Sequence, residues 1–238
     1  MKIRNSRLLN SKFWIDVLWP NRCPVCGKVI IWDKLLCTEC EKSLTFLDDP
    51  KCSNQKRDFG EQSAFDGVYS LFPYTGCAVG AIYNLKLNKG INFAEYSSRF
   101  LGKILVSDGT ADKIDIVTCV PMSKKKKRVR GYNQAEKIAE FISRELNKPL
   151  NSRLLVRKDD KFEQHMLNSR QRHEHVQNIY EINCKGVDIK GKTILLCDDV
   201  ITTGSTMNKC AELLKVMGAK CVYAVSLCST EFKGITER

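Results

Sequence analysis

A chain of 238 residues with 43% apolar residues and a formal net charge of +12 fits a soluble globular protein with one ordinary domain and a small appendage. No uninterrupted apolar run approaches the ~18 residues of a membrane span, which excludes stable membrane insertion on this reading. The twelve cysteines would suit a secreted disulfide scaffold. Four of them, however, cluster in a metal-ligand pattern, and others such as Cys197, Cys210 and Cys221 lie inside apolar segments as small buried hydrophobes, so a reducing, cytoplasmic setting is expected.

The chain opens with a basic stretch whose apolar part is interrupted by Asp16 and several polar residues. Without a small-residue cleavage site it reads as an amphipathic lead-in helix rather than a secretory signal. Next comes CPVCGKVIIWDKLLCTEC, in which Cys23 and Cys26 form one C-x-x-C pair and Cys37 and Cys40 a second. Each pair places two thiolates on one ion from a tight turn, so the two knuckles predict a closed, structural four-cysteine zinc site. So small a segment has little core of its own, and the ion would supply much of its fold, roughly 10–16 kcal/mol in comparable modules. Cys52 lacks a partner, because Gln55 stands where another C-x-x-C needs a cysteine. The polar run KCSNQKRDFGEQ marks a boundary, dividing the chain into 1–62 and 63–238.

Beyond it, FDGVYSLFPY alternates as strand, GCAVGAIYNLKLNKG reads as a helix ending near Gly90, and FAEYSSRFLGKIL as a helix with Phe93, Tyr96, Phe100, Leu101 and Ile104 on one face. DIVTCVPM is a buried strand ending at Pro121, followed by the basic run KKKKRVR. GYNQAEKIAEFISRELN is an amphipathic helix with Ala135, Ile138, Ala139, Ile142 and Leu146 inward. Residues 157–177 are polar and aperiodic, which predicts a functional loop. KTILLCDDV is a strand buried on both faces, STMNKCAELLKVMGA a helix with Met207, Cys210, Leu213, Leu214 and Met217 inward and Gly218 as its stop, and CVYAVSLC a further strand. Strand, helix, strand in succession predicts an α/β fold with a parallel sheet.

In such sheets ligands collect at the carboxyl ends of the strands. Asp198 and Asp199 are costly to bury unpaired, so they belong where their strand meets water or a ligand. Thr202, Thr203, Gly204, Ser205 and Thr206 match neither a P-loop nor a dinucleotide fingerprint, but hydroxyls and backbone N–H groups at a helix start suit a monophosphate. The two carboxylates before that loop are acceptor-only groups, well matched to the vicinal diol of a sugar carrying that phosphate.

ILLCDDVITTGST resembles the phosphoribosyl pyrophosphate (PRPP) loop of type I phosphoribosyltransferases, with apolar run, acidic pair and T-T-G-x-T in register. VPMSKKKKRVRGYNQAEKIAE is similar to the V-P-x-x-x-x-R-x-x-x-R-G-[FY]-N-Q-A stretch of the ComF family, which also carries an N-terminal pair of cysteine knuckles. The resemblance implies a phosphoribosyltransferase-like parallel sheet behind a zinc module. Asp198 and Asp199 would take the ribose hydroxyls, Thr202–Thr206 the 5′-phosphate, and Val120, Pro121, Met122, Ser123 and Lys124 the pyrophosphate, with Mg2+ accompanying PRPP. EQHMLNSRQRHEHVQNIY looks like the family's flexible loop, where Gln164, Leu167, Arg170 and Arg172 fit; Asn168 stands where serine is usual and His175 where asparagine is usual.

The family is associated with uptake of transforming DNA. That association implies single-stranded DNA as a partner, with Lys124, Lys125, Lys126, Lys127, Arg128 and Arg130 as contacts, and other uptake proteins such as a helicase. A cytoplasmic location follows, or a peripheral one at the inner face of the membrane. Six cations all touching a strand would give a log–log salt slope near −4, from roughly −0.7 per contact. A metabolic phosphoribosyltransferase with a small-molecule acceptor and a non-catalytic adaptor are the alternatives, since no residue stands out as a general base and the acceptor leaves no mark on the sequence. Full amidophosphoribosyltransferase chemistry is not expected: its glutaminase half needs an N-terminal cysteine, and residue 2 is Lys2.

Overall fold

The structure, a computed structural model, describes residues 20–31, 33–51, 63–158, 179–183 and 187–230. The expected lead-in helix, Cys52, most of the proposed boundary stretch and the loop carrying Gln164, Leu167, Asn168, Arg170, Arg172 and His175 lie outside the described residues. Among the described residues of the zinc module the helix is α1 (Thr38–Ser43). There follow β1 (Gly67–Pro73), α2 (Gly76–Lys86), α3 (Ile91–Ser107), α4 (Thr110–Lys113), β2 (Ile116–Cys119), α5 (Lys124–Arg130) and α6 (Gln134–Leu146). The chain continues with β3 (Leu155–Arg157), β4 (Tyr180–Ile182), β5 (Thr193–Ile201), α7 (Ser205–Val216) and β6 (Cys221–Ser229).

β1, β6, β5 and β2 lie in that order in one all-parallel sheet, while β3 and β4 pair as a separate antiparallel ribbon. The middle strands are continuously apolar because both their faces are covered: Ile194 to Cys197 on β5, and Val222, Ala224, Val225 and Leu227 on β6, have no exposed surface. On one face α2, α3 and α6 share a core with Tyr69, Leu71, Leu195 and Cys197, and the zinc module adds Cys23, Leu36, Cys40 and Leu44 to the same core. On the other face Met207, Cys210 and Leu214 of α7 pack with Ile194, Leu196 and Val222, beside Leu155 and Tyr180 of the ribbon. The adjacent strands β2 and β5 thus send their following long helices to opposite faces, which opens a crevice at their carboxyl ends.

Several expectations meet corrections. α2 ends at Lys86 rather than near Gly90, because Asn88 turns left-handed at φ +61° and Lys89 N–H returns to the Asn84 carbonyl at 2.9 Å. Gly90 instead begins α3, pressed so closely on the preceding turn that a Cβ there would lie 2.5 Å from Leu85 N. On α3, Phe93, Tyr96 and Leu101 are buried as expected, Phe100 and Ile104 are half-buried, and Leu105 completes the inner stripe. On α7, Ala211 is inward and Leu213 half-buried, while Met217 is 45% exposed, since the helix stops at Val216 and Gly218 takes φ +96°. Cys221, at the start of β6, is half-buried. The stripe of α6 is buried at every expected position.

Irregular chain covers both edges of the sheet. Along β1, Leu47 N–H bonds to the Leu71 carbonyl at 3.0 Å and Ser70 N–H to the Pro50 carbonyl at 2.9 Å, so the tail of the zinc module runs alongside as an antiparallel companion. Lys51 extends this contact to Asp108 at 3.1 Å, and Asp108 also accepts from Tyr69 Oη at 2.5 Å. Along β2, Val117 N–H bonds to the Pro149 carbonyl and Asn151 N–H to the Val117 carbonyl, both at 2.9 Å.

Candidate functional site

The four knuckle cysteines converge as their spacing predicts: their Sγ atoms all lie within 4.8 Å of one another. Cys26 Sγ and Cys37 Sγ are 3.7 Å apart, close to the ~3.8 Å that four sulfurs on a tetrahedron about 2.3 Å from a zinc ion require. Gly27 at φ +75° permits the first turn, in which its N–H returns to the Cys23 carbonyl at 2.9 Å. Cys37 caps α1 by accepting from Cys40 N–H at 3.4 Å. Burial pushes the Cys23 thiol up, but N–H groups of Cys37, Cys26 and Val25 pull it down to about 7, ready to meet a cation as thiolate. The donor set and its geometry fit a closed structural zinc site with no position left for substrate, the one such group of His, Cys and carboxylates among the described residues.

The acidic pair lies on β5 at the crevice. The strand runs on through both aspartates, as the reading of KTILLCDDV predicts, and ends at Ile201 because Asp198, Val200 and Ile201 keep pairing with β6. Neighbours on a strand point to opposite faces. Asp199 turns toward α2, where its Oδ2 meets Lys86 Nζ at 3.4 Å. Asp198 turns toward α7, its charge felt by Cys210 and Tyr180. Asp198 Oδ1 accepts from Asp199 N–H at 2.8 Å. Burial, reinforced by the neighbouring Asp199 charge, holds the Asp198 carboxyl well above the usual range.

Behind the pair, Thr202, Thr203, Ser205 and Thr206 are exposed, and Gly204 at φ +69° bends the chain into α7. With glycine as its cap, α7 has no side-chain oxygen on its first amides from the cap residue. Thr203 Oγ1 and Ser205 Oγ share a hydrogen bond of 2.8 Å across the bend.

The turn after β2 lies beside this loop, because Cys119 pairs with Cys197 and Val120 N–H continues the ladder to the Cys197 carbonyl at 3.0 Å. Ser123 then caps α5 by accepting from Lys126 N–H at 3.3 Å, and Gly131 at φ +82° ends that helix. The basic run is therefore helical, with Lys124 to Val129 exposed. Lys127 pairs with Glu136 at 2.9 Å and Arg130 donates to Gln134 at 3.1 Å, tying α5 to α6. Asn133 holds the turn from below: Nδ2 donates to the Val120 carbonyl at 3.0 Å while Oδ1 accepts from Ala135 N–H at 3.2 Å. Tyr132 Oη donates to the Leu85 carbonyl.

The structure thus gathers the Val120–Lys124 turn, the acidic pair and Thr202–Thr206 at one sheet end. Sequence reasoning missed Lys86, Tyr132 and Asn133. Tyr132 and Asn133 stand inside a recognised motif, but Lys86 is one cation among 39 lysines and arginines with no local pattern to mark it. A cavity of about 650 Å³ between Ile116, Leu150, Asn151 and Asn183 lies at the other end of β2, away from the acidic pair.

Fold and site define a phosphoribosyltransferase-type domain behind a zinc module. A phosphoribosyl transferase domain matches residues 133–236 and a double zinc ribbon domain matches residues 14–66. The chain is 28% identical to the DNA utilization protein YhgH of Escherichia coli (strain K12) over 211 residues, which is 87% of this chain and 90% of that one. It is 31% identical to Competence protein F of Haemophilus influenzae over 101 residues, 42% of this chain and 44% of that one. Phosphoribosylpyrophosphate synthetase from Mycobacterium smegmatis overlays at 20% identity with a TM-score of 0.37, a likeness too low to weigh; the overlay covers 56% of this chain and 33% of that one. These names, together with the two domain matches, support the ComF resemblance carried by the sequence motifs. Among the described residues no helix is long and apolar enough to cross a membrane.

Proposed function

We propose that this is a PRPP-binding, phosphoribosyltransferase-like protein that serves DNA uptake. The observation that carries the reading is the acidic pair of β5 running into a hydroxyl-rich bend at the glycine-capped start of α7, beside the turn after β2. Asp198 and Asp199 take the ribose hydroxyls, Thr202–Thr206 the 5′-phosphate, and the Val120–Lys124 turn the pyrophosphate, with Mg2+ arriving on the pyrophosphate oxygens. Transfer from PRPP builds positive charge at the anomeric carbon and negative charge on the departing pyrophosphate. The chain's part is orientation, charge compensation and exclusion of water. In this reading residues 1–62 form the zinc module and 63–238 the transferase-like domain, with Gln164, Leu167, Arg170 and Arg172 closing over the ligand. Calorimetry with Mg2+ and PRPP tests the site: the wild-type chain should bind, and Asp198→Asn/Asp199→Asn should not. Equal affinity refutes the assignment, and release of pyrophosphate against candidate acceptors decides whether turnover follows.

The DNA role rests on the names of the relatives and on α5. A seven-residue helix spreads its cations round its whole circumference, and Lys127 and Arg130 already have partners on α6. Single-stranded DNA can therefore meet about half of the run at once, so the expected log–log salt slope is about −2 rather than −4. Binding unchanged in Lys124–Lys127→Ala would refute α5 as the contact. A helicase-type uptake protein as partner, and a cytoplasmic or inner-face peripheral location, complete the proposal.

A further inference from the structure

The last turn of α2 touches three otherwise separate parts of the molecule with three consecutive residues. Asn84 Nδ2 donates to the carbonyl of Pro24, inside the first zinc knuckle, at 2.8 Å. The Leu85 carbonyl accepts from Tyr132, in the segment between α5 and α6. Lys86 Nζ stands 3.4 Å from Asp199 Oδ2, with both side chains mostly shielded at 32% and 14% exposure. The turn is also braced from behind, because Gly90 leaves no space for a Cβ against the backbone of Asn84 and Leu85. Val25 of the same knuckle lies under α2 as well, its carbonyl 3.9 Å from where a Cβ on Gly80 would stand.

Consider what each contact fixes. Two adjacent carboxylates at the mouth of a crevice repel one another and any polyanion that approaches. A single ammonium within reach of one of them offsets that repulsion and fixes its rotamer. The ammonium acts only while its helix turn is held, and the turn is held by the knuckle on one side and the Tyr132 segment on the other.

From this we infer that Lys86 is a positioning residue for the acidic pair, and that the turn Asn84–Lys86 couples metal occupancy of the cysteine knuckles to ligand affinity at Asp198 and Asp199. The inference rests on the PRPP reading of that pair. By linkage the coupling runs both ways: a metal-filled knuckle favours ligand, and bound ligand raises the affinity of the knuckles for metal by an equal free energy.

Two measurements on the full, zinc-loaded chain test it. In calorimetry with magnesium and PRPP, Lys86→Met should weaken binding roughly tenfold, and Lys86→Arg should restore most of it. Asn84→Leu, which fills the same space but releases the knuckle carbonyl, should weaken binding by at least about fivefold. Gly90→Ala, which displaces the turn from behind, should act in the same direction. In the second measurement, zinc is drawn off by a chelator and followed colorimetrically. Saturating magnesium–PRPP should slow release from the wild-type chain, inorganic phosphate should not, and Asn84→Leu should abolish the difference. Wild-type binding of PRPP with unchanged affinity in Lys86→Met and Asn84→Leu, and zinc release indifferent to ligand, overturns the coupling while leaving the site reading intact. Absence of PRPP binding by the wild-type chain instead removes the reading beneath it.

Discussion

Replacing Asn133, a side chain that is 6% exposed, by alanine removes two short hydrogen bonds and a long 4.0 Å contact from Nδ2 to Cys119 Sγ. The first is the cap of α6, from Ala135 N–H to Oδ1 at 3.2 Å, a loss of about 1 kcal/mol in comparable helices. The second is the 3.0 Å bond from Nδ2 to the carbonyl of buried Val120, whose donor then has no replacement from water; a carbonyl so stranded costs about 1–3 kcal/mol. Asn133→Ala should therefore lower the unfolding free energy by roughly 2–4 kcal/mol in urea titrations with an unchanged m value. Asn133→Ser separates the two, since its hydroxyl can still cap α6 but falls short of Val120, and it should cost about half as much. Because Val120 begins the turn assigned to pyrophosphate, both variants should also weaken PRPP binding. A loss below about 0.5 kcal/mol for Asn133→Ala, or equal losses for the two variants, would show that Asn133 does not hold the turn.

Three further outcomes are expected. Burial pushes Asp108 up, but bonds from Tyr69, Thr110 and Lys51 outweigh it and bring the carboxyl down to about 2. Its contribution is thus present above the ordinary carboxylate range and lost as pH falls through 2; Asp108→Asn should cost about 1–2 kcal/mol at pH 7, a gap that closes between pH 4 and pH 2 in parallel denaturation series. Asp198 shifts the other way, so its stability contribution is full below the ordinary range and falls as pH rises. Asp198→Asn should therefore flatten the decline in melting temperature as pH rises above the ordinary carboxylate range while abolishing PRPP binding, and an unaltered pH profile would contradict the burial argument. Cys26→Ser leaves three sulfurs of the cluster, and metal analysis after dialysis against a chelator should find zinc retained by the wild type and lost from the variant.

The parts of the fold most legible in the sequence are those dictated by one local rule. The run Ile194–Cys197 announces a strand covered on both faces, and the stripe from Ala135 to Leu146 announces the inner side of α6. The knuckle spacing announces the sulfur cluster because a C-x-x-C turn brings its thiols together by itself. What was not legible depends on meetings between distant segments. Lys86 and Asp199 are more than a hundred positions apart and become neighbours only when α2 lies across the end of the sheet. The helix in the basic run was hidden by its charge, although Ser123 before it and Gly131 after it are the cap residues such a helix needs. Met217 read as inward because the 3.6-residue period was extended one step past the point where Gly218 turns the chain away.

The strip from Leu47 to Lys51 has a consequence for how the protein can be divided. Its hydrogen bonds to Leu71 and Ser70 satisfy main-chain groups of β1 that no strand among the described residues reaches. A truncated polypeptide starting at residue 63 would expose that row of donors and acceptors to the next molecule in solution, a template for intermolecular pairing. The front module accordingly serves its larger neighbour as a selvedge, finishing a border that would otherwise fray into aggregates.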